Sequence, residues 1–171
     1  MKSSKAAFGL AILTLAFVAC AGPDSTPTSP AAFVPDAAGA NVLVPQFNLD
    51  VTLLSQGQAF GHVAFRQNHD GAQLAHLGVS AQHLAPNTSY VLQRAVDVMD
   101  GVCTSVAWLT LGKGATPQTI DTNAAGTGQA DLWRSLTAFP VGTTFDITFR
   151  VLDATTQAVV LTSPCYQFFV R

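Results

Sequence analysis

The sequence contains no glutamate and only three lysines among its 171 residues, and charged residues make up just 11% of it. Glutamate and lysine usually fill the exposed faces of helices, so their scarcity argues against helical bundles and most α/β enzymes. The low charge, together with a hydrophobic share of 49%, also argues against a disordered chain. Threonine, valine and phenylalanine are plentiful instead, and these residues favour strands. We therefore expect an all-β protein.

The N-terminal segment is too short for a transmembrane helix but has the pattern of an export signal. Residues 6–19 are almost entirely apolar, and they follow the positively charged Lys2 and Lys5. These fourteen residues are too few to cross about 30 Å of hydrocarbon as a helix, yet they suit the apolar region of a signal peptide. We interpret residues 1–19 as a signal peptide.

The next residues indicate how the exported chain is processed. Phe17-Val18-Ala19-Cys20 resembles a bacterial lipobox, in which small residues precede a cysteine that is lipidated and becomes the mature N-terminus. The resemblance implies a lipoprotein of the bacterial cell envelope, anchored to a membrane through Cys20. Residues 20–40 are rich in proline, serine, threonine and alanine and predict a disordered tether. The alternative is ordinary cleavage after Ala21, which would leave a secreted or periplasmic protein.

The mature chain carries no cluster of basic residues. From Cys20 onward, ten aspartates face five arginines and Lys113, which gives a net charge of −4. Nucleic acid and anionic lipid headgroups both bind through clustered lysine and arginine. We therefore predict no nucleic-acid partner. Besides the membrane held through Cys20, the predicted partner is an unknown protein or glycan.

Two cysteines remain in the predicted domain, Cys103 and Cys165. They are 62 positions apart in strand-like surroundings, and an exported protein meets oxidising conditions. Two cysteines cannot complete a zinc site without other ligands. We predict that they form one structural disulfide.

Residues 41–171 predict one domain of strands separated by turns. Residues 145–151 alternate in period two, and the pattern predicts that Asp146 faces outward between buried neighbours. Residues 63–65 and 77–81 flank a turn that ends in Asp70-Gly71, which predicts a hairpin. Further strands are predicted at 42–54, 90–98, 103–111, 128–136 and 158–161. About 7–9 strands at this spacing imply an antiparallel β-sandwich.

One short segment carries a more specific signal. Leu84-Ala85-Pro86-Asn87-Thr88-Ser89-Tyr90 resembles the L-x-P-x-T-x-Y corner of fibronectin type III-like and other immunoglobulin-like domains. The resemblance implies that Leu84 and Tyr90 plug the core, that Pro86 shapes the turn and that the Tyr90 hydroxyl bonds back to the main chain. It favours an immunoglobulin-like β-sandwich and implies no activity.

Four histidines recur every seven residues, at His62, His69, His76 and His83. If the hairpin folds about His69 or Asp70, His62 and His76 lie opposite or diagonal to each other on the outer face. Two imidazoles could then hold a metal ion weakly, with Asp70 or Asp50 assisting. The simpler interpretation is a pair of solvated surface histidines, and we predict no metal and no cofactor.

No nucleophile elbow, phosphate-binding loop or zinc-protease motif occurs in the sequence, so we predict that the protein is not an enzyme. Trp108, close to Cys103, is predicted to pack in the core against the disulfide. Trp133 is also predicted to lie in the core, although its neighbours Asp131 and Arg134 leave open an exposed position that could stack on a sugar. The main hypothesis is a non-catalytic binding or structural domain. The alternatives are a carbohydrate-binding surface module or a weak metal site at His62 and His76.

Overall fold

The computed structural model describes residues 46–69 and 71–171. The predicted signal peptide, the tether, Cys20 and Asp70 lie outside the described residues, as does the beginning of the strand predicted at 42–54. The described residues form strands, turns and irregular segments, and no helix occurs in either of the two ranges. The all-β expectation is confirmed.

Twelve strands follow one another along the described chain. They are β1 (Asn48–Leu54), β2 (Phe60–Gln67), β3 (Leu74–Gln82), β4 (Ser89–Asp97), β5 (Leu109–Thr110), β6 (Gly112–Lys113), β7 (Thr116–Pro117), β8 (Thr119–Asp121), β9 (Gly128–Ser135), β10 (Thr144–Asp153), β11 (Val159–Thr162) and β12 (Tyr166–Phe169). Eight of them have four or more residues, which falls within the predicted range of 7–9. The short strands β5 to β8 escape sequence prediction because two or three residues are too few to show an alternation.

Strands β1, β2, β3 and β9 form one antiparallel ladder. Val51, Val63 and Val79 lie side by side on three neighbouring strands and are buried. Burial of such a side chain contributes about 1.5–3 kcal/mol. A shift of register by one residue would move every one of these side chains into water, so the alternation determines which face points inward.

Strand β10 pairs with β4, β11 and β12 to form a second antiparallel set. Phe149 of β10 is fully buried, and its ring centroid lies 6.0 Å from that of Phe65 on β2. The ring of Phe168 on β12 meets Phe65 edge-on, with 4.8 Å between centroids. These aromatic contacts join the two sets of strands around one hydrophobic core.

Two connections nearly close the sheet into a barrel. Strands β1 and β11 pair only at Leu54 and Thr162. On the other side, the consecutive short strands β5 and β6 bridge β4 and β9. The closure depends on segments that are far apart in sequence, which is why no local pattern predicts it.

The strand register defines two ends of the domain. Gln46 bridges Phe168 of β12, and Phe168 pairs with Phe145 near the start of β10. The next residue, Asp146, pairs with Asp97 at the end of β4, so these segments meet at one end of the sheet. The Gln46 end therefore comprises Gln46, Phe47, the polar turn between β2 and β3, and the loops 98–102 and 136–143. The opposite end comprises the loops 55–59, 83–88, 122–127 and 154–158. Whatever precedes Gln46 in the chain is joined to the domain at the Gln46 end.

The segment that resembles an immunoglobulin-like corner lies at the opposite end. Leu84 and Tyr90 are both buried. The Tyr90 hydroxyl accepts a hydrogen bond of 3.0 Å from the Ala85 amide. The Leu84 amide donates to the Gly126 carbonyl at 3.1 Å, so the corner is tied to the turn before β9. Pro86 starts the exposed turn between these two buried residues.

The predicted strand at 103–111 is wrong for most of its length, since only Leu109–Thr110 is a strand. Residues 103–108 are irregular. The Oδ2 atom of Asp97 accepts hydrogen bonds from the Thr104 and Ser105 amides at 2.9 and 2.7 Å. A side-chain carboxylate thus satisfies amides that a strand neighbour would otherwise bind.

The predicted exposure of Asp146 is also wrong, because this side chain is fully buried. It lies on the sheet face opposite to the core residues Phe145 and Ile147, as the alternation predicts. Its Oδ2 atom accepts hydrogen bonds from the Asp100 and Gly101 amides at 2.8 and 2.6 Å. The loop 98–102 therefore folds over this residue and removes it from water.

Candidate functional site

The outer face of β2, β3 and β9 is the candidate functional site. Cross-strand neighbours form three parallel rows on it. We name this surface the Trp133 face and define it by the rows Arg66–His76–Trp133, Ala64–Gly78–Asp131 and His62–Ser80–Gln129. It combines one large aromatic ring, two small residues and several hydrogen-bonding groups on a single pleated surface.

Trp133 is 38% exposed, so the expectation of a core position is wrong and the exposed alternative holds. The six-membered ring of its indole packs against Gly114, where an added Cβ atom would come within 2.7 Å of the ring. Gly114 has a φ of +67°, and its carbonyl accepts a hydrogen bond of 2.9 Å from Arg134. The backbone at Gly114 is thus held against the indole, which fixes the orientation of the ring and leaves part of it open to solvent.

A shallow depression lies on the Trp133 face, lined by Gly78, Ser80, Gln129 and Asp131 among others, and Trp133 itself lies outside its lining. Gly78 has open space above it, since an added Cβ would meet only the Ala64 methyl at 3.9 Å. Asp131 stands two residues from Trp133 on β9, so both side chains point to the same face. An exposed carboxylate, an amide and a hydroxyl therefore surround a flat floor next to an aromatic ring.

Asp50, at the edge of the same outer surface on β1, is already paired. Arg66 donates a hydrogen bond to its Oδ1 atom, and His62 Nε2 lies 3.5 Å from the same oxygen. The hydrogen bond from Arg66, helped by the charges of Arg66 and His62, holds the pKa of the Asp50 carboxyl below its ordinary value. Asp131 is the exposed carboxylate of the Trp133 face itself.

His62 and His76 are not brought together, which corrects the predicted geometry. His62 pairs with Ser80, while His76 pairs with Arg66. The two imidazoles therefore lie four positions apart along the ladder, about 13 Å at the usual rise per residue. The hairpin is centred near Gly71 rather than at His69 or Asp70, and that displacement separates them. Within residues 46–69 and 71–171, no group of three or more metal-ligating side chains is assembled.

Trp108 is only partly buried, so its predicted core position is wrong as well. The Arg150 guanidinium lies over its ring, 3.9 Å from the centroid. Arg150 Nε also donates to Gln93 Oε1 at 2.9 Å, which keeps the guanidinium in place. The Cys103–Cys165 disulfide is present as predicted, with 5.5 Å between the Cα atoms.

Sequence reasoning missed the organisation of the loop after β4. Asp97 is the organising side chain, because its carboxylate accepts hydrogen bonds from the Val98, Thr104 and Ser105 amides and from the Thr104 hydroxyl. The Thr104 amide and hydroxyl, followed by the other amides, hold the pKa of the Asp97 carboxyl below its ordinary value. An aspartate directly before a glycine-containing loop was the available signal, although it does not say which amides are bound.

Comparisons with known protein families, with curated proteins and with solved structures found no match. In the part of the chain that the structure describes, no helix has the length and apolar character needed to cross a membrane. The chemistry of the Trp133 face and the sequence before residue 46 are the features that bear on function.

Proposed function

We propose that the protein is exported, is lipid-anchored to the bacterial cell envelope through Cys20, and binds a partner with a non-catalytic domain. The lipobox-like Phe17-Val18-Ala19-Cys20 supports the anchor. The Cys103–Cys165 disulfide fits an oxidising compartment outside the cytoplasm. The absence of any recognised catalytic motif in the sequence favours binding over catalysis.

The binding surface in this proposal is the Trp133 face, and the exposed indole of Trp133 is the observation that carries it. Large aromatic side chains usually lie buried or at interfaces, where their area stabilises association. Here the ring is held in one orientation by Gly114 and is bordered by groups that form hydrogen bonds. A rigid, partly desolvated ring with polar neighbours loses little conformational entropy when a ligand binds.

A glycan is the second, more specific candidate for the partner, because a sugar presents both of the required chemistries. Its C–H face stacks on an aromatic ring, and its hydroxyls donate to carboxylates and accept from amides. Asp131, two positions from Trp133 on β9, and Gln129, four positions from it, offer these groups on the same face. The Gly78 floor leaves room for a ring to lie flat.

The finer architecture is also part of the proposal: we place the domain among immunoglobulin-like β-sandwiches. Its support is the two antiparallel sets of strands around one core and the hydrogen bond from Ala85 to the Tyr90 hydroxyl. Such folds carry many unrelated functions, so the architecture adds nothing to the choice of ligand.

The anchor predicts a modified N-terminus. Mass spectrometry of the membrane fraction should identify a mature chain that begins at acylated Cys20, because lipidation converts this cysteine into the N-terminal residue. The C20A variant, once cleaved after Ala21, should lose most of its membrane association, since it carries neither an acyl chain nor the apolar signal segment. An unmodified N-terminus at Gly22 in the wild type would contradict lipidation and support ordinary cleavage.

The Trp133 face predicts a localised loss of ligand binding. On a glycan array, W133A should bind at least about tenfold more weakly than the wild type, the equivalent of one lost stacking contact. The matched control is F60A, which removes another aromatic ring from the same outer surface, 40% exposed compared with 38% for Trp133. It should change binding by less than about twofold. A blank array with the wild type, or an equal loss in both variants, would argue against a glycan.

A further inference from the structure

Exposed apolar side chains lie at both ends of the domain, and the Gln46 end carries the larger set, compared with Leu54, Phe60 and Val159 at the opposite end. Val98, Met99 and Val102 project from the loop 98–102, with Val98 72% exposed and Val102 54% exposed. Val141 of the neighbouring loop is 63% exposed, and Phe47 is 37% exposed with the Arg171 guanidinium over its ring, 3.8 Å from the centroid. The loop 98–102 follows β4, Val141 lies shortly before β10, and Phe47 adjoins β12. Strand β10 pairs with both β4 and β12. They therefore form one apolar end rather than scattered surface residues.

The loop 98–102 is held in this exposed conformation by buried and covalent contacts. Asp146 binds the Asp100 and Gly101 amides from below. The Asp100 carboxylate accepts a hydrogen bond of 2.9 Å from the Val102 amide, and the chain is then tied at Cys103 to Cys165. The apolar side chains are thus displayed on an ordered backbone, so little ordering entropy opposes their binding to another apolar phase.

The chain enters the domain at this same end. The Gln46 carbonyl accepts a hydrogen bond of 3.0 Å from the Phe169 amide, so Gln46 is fixed beside β12. Residues 21–45 separate it from Cys20. If these residues form the disordered tether that the sequence predicts, their root-mean-square span is about 25–30 Å. The strands extend a further ~25–30 Å from the Gln46 end, so an anchor at Cys20 limits the distance of the apolar end from the membrane more closely than that of the opposite end.

We infer that the apolar Gln46 end docks on the lipid bilayer that holds Cys20, with Val98, Met99, Val102 and Val141 entering the headgroup region. This inference depends on the proposed anchor at Cys20. The chemistry favours zwitterionic lipid, because Asp100 in the loop and Arg171 beside Phe47 give this end charges of both signs and no basic cluster. Contacts of this kind insert apolar side chains into the interface without spanning it. The Trp133 face would then stand upright along the side of the domain and remain open to a ligand.

The test compares two matched valine positions at opposite ends of the domain. V102W and V159W each add an indole at an exposed valine, 54% and 47% exposed respectively, on the same background of Trp108 and Trp133. The full chain is reconstituted in phosphatidylcholine vesicles with or without bromine on the acyl chains. The quantity compared is the tryptophan fluorescence of each variant minus that of the parent chain. For V102W this difference should fall at least about twofold with brominated lipid, while for V159W it should not change.

Mass spectrometry of Cys20 on the same sample distinguishes failure of the proposed anchor from failure of the proposed docking. Suppose that Cys20 is acylated and that either V102W is not quenched or both variants are quenched equally. Docking is then overturned and the anchor is supported, and the apolar end would be a candidate surface for a protein partner. If Cys20 is unmodified, the anchor fails, and flotation of the chain with phosphatidylcholine vesicles decides the docking. Flotation that V102D abolishes and V159D retains would support docking, whereas no flotation of the wild type would overturn it.

Discussion

Replacing both Cys103 and Cys165 by alanine is expected to lower the free energy of unfolding by about 4 kcal/mol. The bond joins positions separated by 62 residues, so it removes a large amount of conformational freedom from the unfolded chain. It also ties the irregular segment 103–108 to the start of β12. This segment makes few strand pairings of its own, so the disulfide supplies a connection that the sheet does not.

Urea unfolding of the oxidised wild type and of the C103A/C165A variant measures this difference. The reduced wild type is the internal control, because it retains both side chains and lacks only the bond. It should unfold close to the double variant. A loss below about 1 kcal/mol would mean that Asp97 and Asp146 hold the loop without covalent help and that the unfolded chain gains little freedom.

Replacing Asp146 by alanine is expected to lower the free energy of unfolding by about 4 kcal/mol. Its carboxylate is fully buried and accepts two amide hydrogen bonds from the loop 98–102. Leaving a hydrogen-bond donor without its partner costs about 1–3 kcal/mol, and the variant does this to two donors. We expect the loop to loosen as well, which hydrogen exchange at Asp100 and Gly101 would report.

The conservative D146N variant separates loss of one carboxyl oxygen from loss of the whole acceptor group. Asparagine keeps one oxygen for the loop amides but places an NH₂ group where the Oδ1 atom, buried and without a hydrogen-bond partner among the described residues, now lies. Its cost should be about half that of D146A. The surface control is D131A, which removes an exposed aspartate and should change stability by less than about 0.5 kcal/mol. Equal effects of D146A and D131A would contradict a structural role for Asp146.

Local patterns predicted those parts of the fold that depend on neighbouring residues. The alternation in residues 145–151 predicted a strand and assigned Phe149 to the core correctly. The hairpin of β2 and β3 followed from two alternating segments around a glycine turn. In each case the signal is the period of the side chains along one segment, which burial of one face imposes directly on the sequence.

The strand register, and which side chains the loops bury, were harder to predict. A centre displaced from His69 or Asp70 to Gly71 moves His62 and His76 four positions apart, yet the sequence contains turn-forming residues at each of these points. Trp133 has apolar and charged neighbours in the sequence, and its exposure depends on where Gly114 crosses β9. The exposure of a side chain thus depends on a second segment that packs against it. The residues next to it in the sequence do not specify which segment that is.

The sequence by itself therefore determined the all-β class, the single disulfide between Cys103 and Cys165 and the strands of the main hairpins. Only the tertiary structure decided that the sheet nearly closes, that Asp146 is buried and that Trp133 is exposed. The physical reason is the range of the interactions. Strand formation and side-chain alternation arise within a few residues, whereas closure, loop cover and exposure come from contacts between segments tens of residues apart.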